Sequence, residues 1–502
     1  MAALSDLLLE HARSRPNSAA WIDTIGSVHW GELERLVGYA AAALQTRGVR
    51  AGSLVVTHLE NGLPAVVAAL AIDWLGAVES PLDFRAPAGV VRQAIAALQA
   101  VSCLDRDNWT PDVMRWRERL ATDEGPTASR RSVTVLPPAP ARDDDLALVL
   151  WTSGTTSHSK GVMLSSRALL ANAAGKLQAA PQTVDDRRLT ILPLCHAYAR
   201  TCDFLTWLLS GCRYSAGTGW HALEQLGPLV QPTVINAVPY LIDRLLDEAK
   251  LSPSSDERGL TRLGLAELRL LGCGGAALTP CQFAAIERLG VVPIQGYGLT
   301  ESGPVICSAT PNDARAGVVG RPIADTEVRL TPEGEIESRG PGVMMGYWHD
   351  PVATAQRITT TGWLRTGDLG VLESDGALRI LGRRDDLIVL TSGRKVSPQP
   401  LESWLRMNGF PCPLVIYGDG HQLAAVFDPT DCGREPTGWE HRLALSARLV
   451  ELFGMLQRQQ GLPALGLVEP AATAWSYESG ELTLKGTTRR AVILERLSSR
   501  AE

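Results

Sequence analysis

Several features are missing from this sequence. No apolar run approaches the ~20 residues a bilayer-spanning helix needs, so stable membrane insertion is not expected. Basic residues are scattered, in nothing longer than pairs such as Arg130-Arg131 and Arg383-Arg384, and the formal net charge is -6. That pattern offers no footprint for nucleic acid or an anionic membrane. Nine cysteines, an odd number, include no CxxC pair, which removes the common zinc and dithiol arrangements. The cysteines sit in apolar or turn segments (Cys195, Cys202, Cys212, Cys273, Cys281), which leads to the expectation of a reduced, cytoplasmic protein. Residues 1–16 lack a basic leader, and their apolar run is broken at Glu10, unlike a secretory signal. Leu4, Leu7, Leu8 and His11 follow helical spacing instead. No solenoid, collagen or coiled-coil period is present.

What is present is a chain of 502 residues with 45% hydrophobic and 20% charged content, too long for one ordinary core. Residues 30–50 read as a helix with Leu33, Leu36, Val37 and Ala40 on one stripe. Residues 53–58 read as a strand, and 64–75 as a helix closed by Gly76. This strand–helix alternation returns around the apolar runs 146–151, 188–192, 233–238, 268–272 and 291–295, and it argues for parallel α/β sheets. Residues 121–145 are a polar connection. Past about residue 310 Gly, Pro and Asp become dense, and short alternating stretches (327–330, 335–338, 377–381) suggest β-rich structure. The charged run Gly382-Arg383-Arg384-Asp385-Asp386 is a candidate hinge. The expectation is an α/β protein with a large N-terminal domain over 1–384 and a small mobile α+β domain over 385–502, pivoting near Asp385.

The most informative stretch is Thr152-Ser153-Gly154-Thr155-Thr156-Ser157-His158-Ser159-Lys160-Gly161, directly after the apolar run 146–151. Hydroxyls, backbone N–H groups and one ammonium suit a polyphosphate. The Walker A pattern is not met, because Ser159 and Gly161 stand where Gly and Ser/Thr are needed. A Ser/Thr-rich surface turn is the bland alternative. Further segments follow in order: Pro81-Leu82-Asp83, Leu192-Pro193-Leu194-Cys195-His196, Gly274-Gly275-Ala276, Gly296-Tyr297-Gly298-Leu299-Thr300-Glu301, 342–348, Thr366-Gly367-Asp368, Gly382-Arg383 and Leu484-Lys485.

This series resembles the adenylate-forming superfamily of acyl-CoA synthetases, adenylation domains and luciferases, and is closest in look to fatty acyl-CoA ligases. The resemblance spans nearly the whole chain. It implies parallel α/β subdomains and a small β-barrel-like part within the large domain. It implies attack of a carboxylate on the α-phosphate of ATP, giving acyl-AMP with loss of pyrophosphate. It also implies roles for particular residues. Thr152, Ser153, Gly154, Thr155, Thr156 and Lys160 would hold the β- and γ-phosphates. Thr300 would contact the α-phosphate and Glu301 the Mg²⁺. Tyr297 would stack on adenine, with Gly275, Ala276 and Ala277 passing close to it. Asp368 would accept both ribose hydroxyls, a task for an ionised carboxylate, and Arg383 would assist. His196 would gate the acyl pocket. Lys485 would neutralise charge at the α-phosphate and substrate carboxylate. The phosphate loop departs from the family pattern: Ser157 and Ser159 stand where Gly and Pro are usual, so slower or weaker ATP handling is expected.

Two other readings stand beside this one. Gly272-Cys273-Gly274-Gly275-Ala276-Ala277 fits a GxGxxA dinucleotide fingerprint, and the altered phosphate loop admits a silent ATP- or acyl-binding regulator. For the acid, amino-acid-activating relatives place an aspartate near the position of Ala197, whereas here Asp203 lies a few residues on. The Leu192–Thr201 and Glu481–Lys485 stretches look like fatty acyl-CoA ligases, so a hydrophobic acid is expected. The acceptor implied is the thiol of coenzyme A or the phosphopantetheine of a separate acyl carrier protein, with a non-thiol acceptor as the alternative.

Overall fold

Strands buried on both faces need continuous apolar runs, and those runs form the two large sheets. The computed structural model describes residues 4–122, 138–139, 144–152, 160–250, 258–275, 278–430, 439–476, 479–482 and 488–499. One sheet has nine strands. Its parallel centre is Val292–Tyr297, Leu270–Cys273, Val234–Ala237, Arg187–Thr190 and Arg213–Ala216. Short antiparallel strands close both edges. The other large sheet has six strands, with Leu54–His58, Val78–Pro81 and Ser102–Asp105 parallel. It continues into an antiparallel hairpin of Leu146–Trp151 with Gly161–Ser165. The six apolar runs read as strands from the sequence each match a strand to within two residues, whereas Val78–Pro81, Ser102–Asp105, Gly161–Ser165 and Arg213–Ala216 were not read from it.

Helices fill the space between the sheets. Leu63–Trp74 is apolar all round except at Asp73 and buries Val66, Val67, Leu70, Ile72 and Trp74, as a core helix must. Trp30–Thr46 buries Leu33, Leu36, Val37 and Ala40 on the stripe read from the sequence. The N-terminal segment is the helix Leu4–Ser14, and Asp73 accepts from the Ser5 amide at 3.0 Å, satisfying one free N–H of its first turn. An aromatic stack runs through the core. Trp30 lies on Trp207 with centroids 5.3 Å apart, and Trp207 lies on Tyr214 at 4.7 Å.

A buried charge network crosses the nine-stranded sheet. Arg188 pairs with Asp203, both fully buried. Asn236 donates to the same carboxylate oxygen at 2.7 Å, and Gln182 accepts from Arg188 at 3.0 Å. Burial pushes the Asp203 carboxyl up to about 6 despite its cation.

Beyond the large sheets lies a four-stranded antiparallel sheet of Glu327–Leu330, Glu335–Arg339, Leu364–Leu372 and Leu378–Arg383. This is the barrel-like part, and it is an open sheet. From Ile388 onward the chain builds a core of its own around Leu401, Leu405, Phe410, Phe427, Leu449 and Phe453. There the strands Leu414–Gly418, Leu423–Phe427 and Leu465–Pro470 pack with the helices Pro398–Met407 and Trp439–Gln460. The fold is α/β with a C-terminal α+β unit. Among the described residues no helix is long and apolar enough to cross a membrane. Seven described cysteines are in no disulfide. Cys412 is disulfide-bonded, which departs from the fully reduced state expected from the odd count.

Candidate active site

The hairpin that carries the phosphate-loop sequence is closed by Thr152 and Lys160. The Thr152 amide donates to the Lys160 carbonyl at 3.0 Å. The intervening Ser153, Gly154, Thr155 and Thr156, with Ser157 and Ser159, lie outside the described residues. After Lys160 the chain turns into Gly161, where a Cβ would meet Val149 and Trp348 at 3.1 Å, so the close approach of the neighbouring strand calls for glycine.

Lys160 is held over an aromatic face. Its Nζ lies 5.0 Å from the centroid of Tyr347, within cation–π range. Tyr347 comes from the short strand Gly346–Tyr347, which pairs with Val162 and Met163. Its hydroxyl donates to Glu301 Oε1 at 2.8 Å. Burial, followed by the Glu301 charge, pushes the Tyr347 phenol well above its ordinary range, so it is a fixed donor. Arg357 Nη2 stands 3.8 Å from the same Glu301 oxygen and donates to the Thr366 carbonyl at 3.1 Å.

Glu301 and Thr300 lie on a single 3₁₀ turn, Thr300–Ser302. Asn172 clamps this turn. Its Nδ2 donates to the carbonyls of Ser302 and Val305, and its Oδ1 accepts from the Val305 amide. Gly298 precedes the turn because a Cβ there would fall 1.8 Å from the Pro304 carbonyl oxygen.

Asp368 ends this run of contacts. Tyr297, the last residue of its strand, donates its hydroxyl to Asp368 Oδ2 at 2.7 Å. Arg383 is the cross-strand partner of Asp368 and brings Nε within 3.3 Å of Oδ1. Burial, the largest cause, holds the Asp368 carboxyl above its ordinary range, although Arg383 and Tyr297 act the other way. Glu335, buried on the adjacent strand, accepts from the Gly367 amide at 3.0 Å and from Arg384 Nη1 at 2.5 Å. It thus fixes the turn before Asp368 and the residue before Asp385.

His196 belongs to a second group of contacts. It precedes a short helical turn at Ala197–Ala199 that runs into a π-turn over Arg200–Leu205, a local form often found at functional sites. Asn61 fixes the approach to it. Its Nδ2 donates to the carbonyls of Leu192 and Gly217, and its Oδ1 accepts from the Leu194 amide. Asp83 and Cys195 stand beside His196. Arg85 forks both Asp83 oxygens, at 2.9 and 2.7 Å; burial by itself would raise the Asp83 carboxyl, but the Arg85 side-chain and backbone hydrogen bonds, with its charge, together hold it below its usual range.

The glycine fingerprint at 272–277 has a packing cause. A Cβ on Gly272 would meet Asn236 Oδ1 at 1.9 Å, and one on Gly274 would meet the Tyr198 ring at 2.8 Å. Close packing of Asn236 and Tyr198 is thus sufficient to call for glycine at both positions. Gly275 turns the backbone at φ +79°. Ala276, Ala277 and Lys485 lie outside the described residues. Sequence reading missed Tyr347, Arg357, Glu335 and Arg85 as site residues. Tyr347 stood inside the Gly342–Trp348 segment, whereas nothing local marked the other three.

The structure brings Lys160, Glu301, Tyr297, Asp368 and Arg383 into one connected run, with Thr152 at one end and Thr300 beside Glu301. Thr152 and Lys160 at the ends of the phosphate-loop segment, and a buried carboxylate beside a tyrosine, are the features that the resemblance to adenylate-forming enzymes calls for. Residues 8–348 match the family described as AMP-binding enzyme. The chain is 32% identical over 450 residues to a 3-[(3aS,4S,7aS)-7a-methyl-1,5-dioxo-octahydro-1H-inden-4-yl]propanoyl:CoA ligase of Mycobacterium tuberculosis, covering 81% of this chain and 84% of that one. It is 25% identical to the long-chain-fatty-acid–CoA ligase FadD15 of Mycobacterium bovis, covering 99% and 96%. The anthranilate CoA ligase AuaEII, solved in complex with anthranoyl-AMP, superposes with a TM-score of 0.80 at 20% identity, covering 100% and 98%. At that identity the last likeness speaks to the fold. The chain belongs to the AMP-binding enzyme family. It is an enzyme of the AMP-forming acid–thiol ligase type.

Proposed function

We propose that this enzyme uses ATP to convert a hydrophobic carboxylic acid to its acyl-AMP and passes the acyl group to a thiol, that of coenzyme A in the first instance. The observation that carries the reading is that two groups of contacts, Lys160 with Tyr347 and Glu301, and Tyr297 with Asp368 and Arg383, are bridged by Arg357, which stands 3.8 Å from Glu301 and donates to the Thr366 carbonyl. Together they line up an ammonium for phosphates, a carboxylate for a metal and a carboxylate for ribose. In the reaction a carboxylate oxygen bonds to the α-phosphorus and the bond to pyrophosphate breaks. Two anions meet, so the enzyme's work is positioning and charge stabilisation.

On this reading Thr152, Lys160 and the hydroxyls of residues 153–156 hold the β- and γ-phosphates. Thr300 reaches the α-phosphate, and Asp368 takes the ribose hydroxyls with Arg383 beside it. Tyr297 and Gly275 to Ala277 border the adenine. Lys485 arrives from the C-terminal unit for the adenylation step. A magnesium ion fits Glu301, which is buried and offers one carboxylate whose Oε1 alone is engaged by Tyr347. Mg²⁺ is commonly held by one or two carboxylates together with substrate phosphates. There it would offset charge on the departing pyrophosphate.

Two lines support a hydrophobic acid over an α-amino acid. Asp203, the carboxylate available for an ammonium, is fully buried and already bonded to Arg188 and Asn236. The relatives named above act on a bicyclic propanoate and on long-chain fatty acids. Phosphopantetheine on a separate carrier protein is the second thiol acceptor to test. The domains are proposed as 1–384 and 385–502, with rotation at Asp385 after adenylation. A pyrophosphate-release screen over fatty, aryl and amino acids, with and without coenzyme A, tests the whole reading. The strongest signal from an α-amino acid, or no release from any acid, would overturn it.

A further inference from the structure

Outside the nucleotide run, three metal-ligating side chains of three chemical types meet at one place. Asp83 comes from the turn after the strand Val78–Pro81, and Cys195 and His196 come from the segment after Arg187–Thr190. One ligand atom from each lies within 4.8 Å of the others. Cys195 is in no disulfide and is half-buried, His196 is half-buried and Asp83 is buried. Among the described residues this is the one group of three such side chains with that convergence.

The geometry points to an inhibitory zinc site formed by Asp83, Cys195 and His196 beside the acyl path. Thiolate, imidazole and carboxylate together suit Zn²⁺ and not Mg²⁺, which takes oxygen ligands at a stricter octahedral geometry. In a tetrahedral site with metal–ligand lengths of about 2.0–2.3 Å, neighbouring donor atoms stand roughly 3.5 Å apart. Binding would therefore draw the Cys195 and His196 side chains closer together than the 4.8 Å limit within which they now lie. Arg85 does not empty the site. It donates one hydrogen bond to Asp83 Oδ2 and side-chain and backbone bonds to Oδ1, and a carboxylate has about four lone-pair positions. Hydrogen-bonded carboxylates are ordinary zinc ligands, held in orientation by such partners. Three protein ligands leave a fourth position for water, and the thiol proton leaves as the metal binds.

The consequence for activity rests on the proposed role of His196 at the acyl pocket. An imidazole fixed on zinc cannot move aside for the acid. Inhibition should therefore be competitive with the carboxylic acid and non-competitive with ATP.

Binding and inhibition can be measured separately on the full chain. After chelator treatment, titration with zinc chloride should give one bound ion per chain. Cys195→Ser, and independently Cys195→Ala, should weaken that binding by at least about tenfold, since even loss of an outer partner costs 10- to 100-fold. Cobalt chloride should give a thiolate-to-cobalt charge-transfer band in the wild type and none in either variant. Both variants should retain zinc-free pyrophosphate release and lose zinc sensitivity. Equal zinc affinity in wild type and both variants, or no stoichiometric binding, overturns the site. Binding without inhibition overturns the inhibitory role and removes His196 from the acyl path.

Discussion

The Tyr297 hydroxyl donates to Asp368 Oδ2 at 2.7 Å, joining the end of the nine-stranded sheet to the antiparallel sheet beyond it. Tyr297 would border the adenine and Asp368 the ribose, so one hydrogen bond sets the spacing of the two nucleoside contacts. Arg383, facing Asp368 across its own sheet, fixes the other carboxylate oxygen.

Asp368→Ala should weaken ATP binding by at least about 100-fold, because each charge-assisted hydrogen bond is worth about 1.5–3 kcal/mol. Titration with a non-hydrolysable ATP analogue reads this directly, and unchanged affinity would remove Asp368 from the site. Burial holds this carboxyl above its ordinary range, which sets the pH dependence. The ionised form accepts ribose best, so nucleotide affinity should fall as pH drops through the raised value, at a higher pH than an exposed aspartate would give. For folding the sign is opposite to that of a salt-bridged acid. The charged form disfavours the folded state above the raised value, and that cost disappears below the unfolded value.

Breaking the buried pair of Arg188 and Asp203 is a test of stability. Asp203→Ala leaves a guanidinium buried with Gln182 as its remaining side-chain partner. Loss of one member of such a pair costs about 3–5 kcal/mol. The midpoint of urea unfolding should fall accordingly. The double variant Arg188→Met with Asp203→Leu should recover much of the loss. Equal instability in both variants would mean that packing, and not the stranded charge, is the cause.

Asp385 is the proposed pivot. Its side chain is 74% exposed, while its neighbour Arg384 is tied to Glu335 and, through its amide, to the Gly367 carbonyl at 2.8 Å. The Asp385 carboxylate meets only Arg384, at 3.5 Å, among the described ion pairs, and an exposed residue next to an anchored one is where a backbone change can be absorbed. Asp385→Pro fixes φ near −65°. Pyrophosphate release should survive and thioester formation should fall. Equal loss of both steps would argue against domain alternation.

Lys485→Ala should cut acyl-AMP formation by roughly 10²-fold, the scale seen for losing one transition-state donor. Supplied acyl-AMP should still pass to coenzyme A at near the wild-type rate, since the anionic crowding is over by then. Normal adenylation by the variant would remove Lys485 from catalysis, and equal loss of both steps would assign it to folding.

Local pattern determined much of this protein. The apolar runs and their helical or alternating spacing placed six strands of the large sheets and the first three long helices, because burial on two faces and burial on one stripe leave different periods in a sequence. The order of short motifs fixed the family, because phosphate, ribose and metal each demand particular donors. Tertiary structure decided what depends on partners distant in the chain. Asp203 could be read as a free carboxylate until Arg188 and Asn236 closed on it. Gly272 and Gly274 read as a dinucleotide turn until Asn236 and Tyr198 filled the space beside them. Tyr347 and Arg357 gained their relation to Glu301 only when separate segments met. The physical reason is the same in each case. A side chain's charge, burial and hydrogen bonds belong to its neighbours in space, and those are assembled by the fold.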